Sequence, residues 1–134
     1  MHVADAMSQQ VLTVGTRTTV REACRLMVQR KVGAAVVVDD ELPGPGIVTE
    51  RDVLRAVAEG VDMETALVGE VMTFEARTAS TTWDLEAAAE EMVRRGFRHL
   101  VVVDDGGRLA GILSMRDVVR ARLGAQAPAP PLPA

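Results

Sequence analysis

The sequence predicts an α/β (α+β) protein made of two tandem copies of one unit, each about β-α-β-β-α. Three observations carry that reading. The stretch Gly46-Ile47-Val48-Thr49-Glu50-Arg51-Asp52 returns as Gly111-Ile112-Leu113-Ser114-Met115-Arg116-Asp117, with hydroxyl and carboxylate at the same places. The offset of 65 positions from Gly46 to Gly111 holds without a gap from Val3 and Val68 onward, and about twenty aligned positions are identical, far beyond chance. Within each copy the apolar residues switch between helical spacing and short β-branched runs.

Taken in order, Val11-Leu12-Thr13-Val14 reads as a short extended segment. Thr19-Val20-Arg21-Glu22 then forms a Thr-x-x-Glu capping box that opens a helix. Its apolar positions Val20, Ala23, Cys24, Met27 and Val28 fall at i, i+3, i+4, i+7 and i+8, and Leu85, Ala88, Ala89, Met92 and Val93 repeat the spacing. The methionines are core fillers on this pattern, and Cys24, the only cysteine, is expected in the core. Gly33 and Gly96 punctuate the helix ends, and Ala34 to Val38 and Leu100 to Val103 are expected as buried strands. Acid- and glycine-rich turns at 39–45 and 104–108 lead into the repeated motif, which reads as strand, turn and helix start. Trp83 precedes the second copy's first helix, where it serves as a hydrophobic staple or a dimer contact rather than a base-stacking platform.

These elements divide the chain into a first repeat over 1–60, a linker over 61–67, a second repeat over 68–124 and an Ala/Pro-rich tail over 125–134 expected to be disordered. Neither copy alone can bury both a sheet face and two helix stripes. The copies are therefore expected to pack sheet to sheet about a pseudo-twofold axis, leaving two related clefts with one motif at the rim of each.

Composition narrows the function. With 134 residues and 48% hydrophobic content the chain can bury one ordinary core, and with only 2% aromatics that core is Val, Ala, Leu and Met. A net charge of −4 offers no basic footprint for nucleic acid, and no aromatic platform is present to stack bases. The start lacks a signal-peptide pattern and no apolar run approaches the roughly 20 residues of a membrane span, so a cytoplasmic protein is expected. His2 and His99 form no metal-ligand cluster, and no nucleophile with a paired base or phosphate-cradling glycine loop is evident; neither a catalytic nor a metal site is expected.

The repeated motif has two readings. Thr49 with Asp52, and Ser114 with Asp117, suit helix capping pairs whose side-chain oxygens satisfy first-turn N–H groups. The same groups suit a ligand: a helix N-terminus offers N–H donors to a phosphate, and an ionised Asp beside it accepts both hydroxyls of a ribose. Arg51 and Arg116 sit in the first helical turn, where a cation opposes the dipole unless an anion is near or the side chain is simply solvated.

With these residues in hand the chain resembles the cystathionine β-synthase (CBS) domain pair, also called a Bateman module. The resemblance covers about Val3 to Leu123. It rests on the openings Asp5-Ala6-Met7 and Glu70-Val71-Met72, the Val-Val-Val-Asp strands, and the two Gly-h-h-Thr/Ser-x-x-Asp motifs. A chain that is nearly all CBS pair looks like the small stand-alone bacterial members.

The resemblance implies a regulatory module that requires no cofactor, binds an adenosyl ligand such as AMP, ADP, ATP, NAD or S-adenosylmethionine, and often dimerises or meets a protein partner. On this chain it implies that Asp52 and Asp117 hold ribose, and that Thr49 and Ser114 bind ribose or phosphate oxygens. The base in such pairs rests on the other repeat, which implies Ser8, Val11, Thr13 and Val32 for the Asp117 cleft, and Thr73, Ala76, Thr78 and Phe97 for the Asp52 cleft. Arg98-His99 stands where a basic residue of some members meets phosphate, while Gly33-Ala34 takes that place in the first copy. The Ser114/Asp117 cleft is therefore preferred for a phosphorylated ligand, His99 being equally readable as a histidine satisfied at a strand end. The alternative is a purely structural dimerisation or interaction protein whose clefts stay empty.

Overall fold

The structure, a computed structural model, describes residues 1–124; the expected tail lies outside the described residues. Its elements are α1 (Val3–Ala6), β1 (Thr13–Val14), α2 (Val20–Arg30), β2 (Ala34–Val37), β3 (Gly46–Thr49), α3 (Glu50–Ala58), α4 (Val68–Val71), β4 (Thr78–Ser80), α5 (Leu85–Arg95), β5 (His99–Val103), β6 (Leu109–Ser114) and α6 (Met115–Gly124). They form two three-stranded sheets, β1-β2-β3 and β4-β5-β6. In each, the first strand runs parallel and the third antiparallel to the middle one, in registers such as Thr13↔Val36 and Ala34↔Thr49, or Thr78↔Val101 and His99↔Ser114. The α/β architecture with two copies of one unit is thus observed.

The compact units cut the chain differently from the sequence copies expected at 1–60 and 68–124. One is Gln10–Arg77; the other joins Met1–Gln9 to Thr78 and beyond. The reason lies in two four-residue helices that the apolar spacing does not announce. Val3 of α1 is fully buried with Leu85, Met92, Leu100 and Leu113, all from the second copy, while Val68 of α4 is fully buried with Leu12, Met27, Val37 and Val48 of the first. Backbone bonds hold the exchange. The Val3 N–H donates to the Trp83 carbonyl at 2.8 Å and the Val68 N–H to the Thr18 carbonyl at 2.8 Å. Burying a Val side chain stabilises by roughly 1.5–3 kcal/mol, so each opening segment is drawn to the core that has a hole for it.

Helix α2 begins where the sequence places it, with the Thr19 hydroxyl accepting from the Glu22 N–H at 3.1 Å. Only that half of the capping box forms, because the Glu22 carboxylate turns to a bidentate bond with the Arg25 guanidinium at 2.7 and 2.9 Å. In α5 the cap is Asp84, which accepts from the Ala87 N–H at 3.1 Å; Trp83 just before it is 43% exposed. Cys24 departs from its expected place in the core: it is half-buried, and that burial pushes its thiol up against the opposing charge of Arg21.

The end of α2 also departs from expectation. The left-handed residue there is Lys31, at φ 58°, and not Gly33; in α5 the equivalent position is Gly96, at φ 75°. Both helices close with a six-residue return, Val32 N–H to the Met27 carbonyl at 3.0 Å and Phe97 N–H to the Met92 carbonyl at 2.9 Å, the Schellman arrangement. A side chain in the left-handed region costs about 1–2 kcal/mol, partly offset by the greater unfolded-state freedom of glycine. Lys31→Gly is therefore expected to raise unfolding stability by about 0.5–1 kcal/mol, measured by urea titration; a loss of stability would contradict the assigned backbone conformation.

Candidate ligand-binding site

Strands β3 and β6 end at Thr49 and Ser114, and each hands the chain directly to a helix. Both helix starts carry a complete reciprocal cap. The Asp52 N–H donates to the Thr49 hydroxyl oxygen at 3.2 Å, and the Thr49 N–H donates to Asp52 Oδ2 at 3.0 Å. In the other unit the matching bonds are 3.0 Å to the Ser114 hydroxyl and 2.8 Å to Asp117 Oδ2. A further first-turn donor is satisfied by the neighbouring strand, Glu50 N–H by the Gly33 carbonyl and Met115 N–H by the Arg98 carbonyl, each at 3.0 Å.

Capping is therefore a real function of these residues, yet it does not exhaust them. Each hydroxyl accepts a bond and keeps its own proton to donate; each carboxylate keeps Oδ1, which faces a single guanidinium. That partner is Arg55 for Asp52, at 3.7 Å, and Arg120 for Asp117, at 3.5 Å, with the arginines 60% and 70% exposed. These two arginines stand outside the residues singled out from the sequence, although their i+3 spacing from the acids was a readable signal. The carboxylates themselves are buried, at 6% and 9% exposure, so a donor reaching Oδ1 would meet an acceptor partly withdrawn from water.

The exchanged segments lie beside these helix starts. Ser8 exchanges both backbone bonds with Ile112, at 2.9 and 3.0 Å, two residues before Ser114. Thr73 does the same with Ile47, at 2.8 and 3.0 Å, two residues before Thr49. Ala76 follows, with its N–H on the Pro45 carbonyl at 3.3 Å. So Ser8 shares a unit with Asp117, and Thr73 and Ala76 share one with Asp52. The other expected residues fall in the opposite units: Val11, Thr13 and Val32 within 10–77, Thr78 and Phe97 with Asp117. Val32 and Phe97 directly follow the left-handed helix caps, where an apolar residue commonly closes the turn.

The motif glycines have a steric reason. A Cβ on Gly111 would stand 2.6 Å from the Ser8 carbonyl oxygen and 2.8 Å from the Met7 sulfur, and one on Gly46 would strike the Met72 methyl with the Thr73 carbonyl 3.0 Å away. Only a residue without a side chain lets the crossing segment lie against the motif strand.

Charge separates the two sites. Around Ser114 and Asp117 stand Arg116 and Arg98, both exposed, with His99 opposite Ser114 in the strand register. Around Thr49 and Asp52, Arg51 and Arg55 match Arg116 and Arg120, but Gly33 and Ala34 take the places of Arg98 and His99, and Ala34 is opposite Thr49. Arg51 and Arg116 form no ion pair among the described residues. Also among the described residues, no helix is long and apolar enough to cross a membrane and no group of three or more His, Cys, Asp or Glu could hold a metal ion.

Comparison with known proteins gives two matches to the family model described as CBS domain, over residues 3–59 and 68–124. The CBS domain-containing protein YhcV of Bacillus subtilis is 38% identical over 117 residues, which is 87% of this chain and 81% of YhcV. Among solved structures, the CBS domain protein PAE2072 of Pyrobaculum aerophilum, complexed with AMP, superposes with a TM-score of 0.79 at 29% identity, covering 94% of this chain and 100% of that one. The CBS domain pair of MJ0100, in complex with 5-methylthioadenosine and S-adenosylmethionine, superposes with a TM-score of 0.82 at 25% identity, covering 94% of this chain and 98% of its own.

The close approach at Gly111 has a measurable consequence. Gly111→Ala is expected to lower stability by about 1–3 kcal/mol in urea denaturation, because the Ser8 carbonyl that it strikes is backbone held by its own bonds. Gly44→Ala, whose methyl meets nothing within 4 Å, is expected to stay within about 0.5 kcal/mol. Equal effects of the two substitutions would contradict the crossing.

Proposed function

This chain belongs to the CBS domain family, and on that premise we propose that it is a regulatory module that binds an adenosyl ligand and thereby alters a dimer or partner interface. The relatives complexed with AMP and with S-adenosylmethionine support the ligand class. The observation that carries the reading is the spare capacity of the caps: Asp117 Oδ1 accepts only a long bond from the exposed Arg120, at 3.5 Å, and has lone pairs left for the paired hydroxyls of a ribose, and the Ser114 hydroxyl keeps a proton for a ribose or phosphate oxygen. Arg116 and Arg98 bring positive charge to the same helix start, and that favours the Ser114/Asp117 site for a phosphorylated ligand over the Thr49/Asp52 site.

In this proposal Ser8 edges the Asp117 site from within its unit, with Val11, Thr13 and Val32 contributed by the other repeat. Thr73 and Ala76 edge the Asp52 site, joined by Thr78 and Phe97. The regulatory step is a population shift. A ligand touching both repeats stabilises one relative placement of them, by no more than its differential affinity for that placement.

The test is a thermal-shift and calorimetric series with AMP, ADP, ATP, NAD and S-adenosylmethionine. A ligand present at 100 times its dissociation constant is expected to add about 2.7 kcal/mol of stability. A hydrogen bond to a charged group contributes about 1.5–3 kcal/mol, so Asp117→Ala is expected to weaken a phosphorylated ligand on the order of 10- to 150-fold, with Asp52→Ala weakening it less. Because Asp117→Ala also removes a cap, Arg116→Gln and Arg98→Gln serve as variants that leave the cap intact; each should weaken AMP while leaving the ligand-free melting temperature near wild type. Unchanged affinity in all of these variants would overturn the assignment. No shift with any ligand would favour the structural alternative, in which Thr49, Asp52, Ser114 and Asp117 serve only as helix caps.

A further inference from the structure

The residue that follows the cap hydroxyl differs in charge between the two sites, and so does the residue to which it is bonded. At the first position of α3 the Glu50 N–H donates to the Gly33 carbonyl, and at the first position of α6 the Met115 N–H donates to the Arg98 carbonyl. Each bond holds its two residues side by side at the helix start. One pair is Gly33 with Glu50 and carries a negative charge; the other is Arg98 with Met115 and carries a positive one. The remaining charged residues match, Arg51 with Arg116, Asp52 with Asp117 and Arg55 with Arg120, and His99 in place of Ala34 adds charge only when protonated. Glu50 and Arg98 are both exposed and form no ion pair among the described residues, whereas Met115 is half-buried against the core of its own unit. An acid in the first turn suits the helix dipole, yet α6 closes the same reciprocal cap with a methionine there, so the fold does not require Glu50.

From this difference we infer that Glu50 sets the ligand class of the Thr49/Asp52 site, which takes an adenosyl group whose 5′ substituent carries no negative charge. The inference rests on the reading of both caps as adenosyl sites and adds the residue that distinguishes them. The positive end of a helix is equivalent to about half an elementary charge. In α3 the two acids of the first turn, Glu50 and Asp52, already exceed it, and Gly33 supplies no guanidinium to offset them. A phosphate seeking that helix start meets like charge, which selects against it. A 5′ hydroxyl or thioether escapes the repulsion and a cationic group is drawn to the acid, while the ribose hydroxyls still find Asp52. In α6 Asp117 is the only acid of the first turn, Arg98 stands beside it, and Met115 places no charge in the path of a phosphate.

The test is titration calorimetry of the whole chain with AMP and with 5-methylthioadenosine, which shares the adenine and ribose of AMP and has an uncharged thioether in place of the phosphate. Wild type is expected to bind one equivalent of AMP tightly, and the chain holding it to take up one equivalent of 5-methylthioadenosine. Glu50→Lys is expected to admit a second equivalent of AMP, tightened by about tenfold at that site, while 5-methylthioadenosine changes by less than about twofold; Glu50→Gln should fall between wild type and Glu50→Lys. Arg98→Glu is expected to weaken AMP at the other site by about tenfold and to leave 5-methylthioadenosine near wild type. Glu59→Lys makes the same charge change at the exposed far end of α3, roughly 14 Å along the helix and beyond a Debye length, and is expected to leave AMP within about twofold. Two equal AMP sites in wild type, or a Glu50→Lys chain whose affinities for the two compounds move together or not at all, would overturn the assignment of Glu50 while leaving the adenosyl reading standing, as would an equal effect of Glu59→Lys. Binding of neither compound to any of these chains would overturn that reading and the inference with it.

Discussion

The close crossing of Met7-Ser8 over Gly111-Ile112, and of Met72-Thr73 over Gly46-Ile47, is the constraint on which the rest of this structure depends. It needs three things at once: a glycine in the motif strand, a methionine able to lie across it, and a buried valine at position 3 or 68 to pull the segment in. The backbone bonds across it extend each sheet by a short edge, and they bring the residue after each methionine to the strand that ends at the ligand-binding cap. Without the crossing each sheet would end at an open motif strand, and neither core would be closed. The exchange also ties together segments far apart in the chain, so each compact unit depends on residues from both sequence copies.

The second organising feature is economy of function in the caps. A buried carboxylate is costly unless it is satisfied, and here one oxygen is held by a backbone N–H while the other faces an exposed arginine. The groups that fold the helix start are thus the groups proposed to read the ligand. Removing Asp52 or Asp117 acts on folding and on binding together, and only residues outside the cap, such as Arg98 and Arg116, separate the two. The two copies keep the same cap geometry, with Thr49 in one and Ser114 in the other, and differ more in what surrounds it, which is where a duplicated fold can acquire different ligand preferences at little cost to stability.

Divergence between the copies is uneven along the fold. The crossing keeps its residues, Val3 and Val68, Gly46 and Gly111, and the core stays apolar while changing size, as Ala35 to Leu100 and Val48 to Leu113. Some outward positions have changed in charge, Gly33 to Arg98 beside the cap and Arg25 to Glu90 on the outer helix face. Lys31 against Gly96 is a third kind of difference, in which the backbone conformation is shared and only one copy has the residue that suits it. Close packing penalises change in the core strongly, whereas a solvated position accepts either charge.

How much of this was legible in the sequence follows from the range of the forces involved. The repeat, the helix stripes, the short β-branched strands and the cap residues Thr49, Asp52, Ser114 and Asp117 are local patterns, set by periodicities of two and 3.6 and by hydrogen bonds spanning three residues, and the sequence by itself determined them. The tertiary structure decided the rest. The four-residue helices are too short to announce themselves, Glu22 chose Arg25 over its own helix start, and Lys31 took the left-handed turn because the helix ended two residues earlier than Gly33. Above all, only the assembled chain decided that residues 1–9 complete the second copy's core and α4 the first's, because that choice is made by matching a valine to a hole between elements roughly a whole repeat away, which no local pattern records.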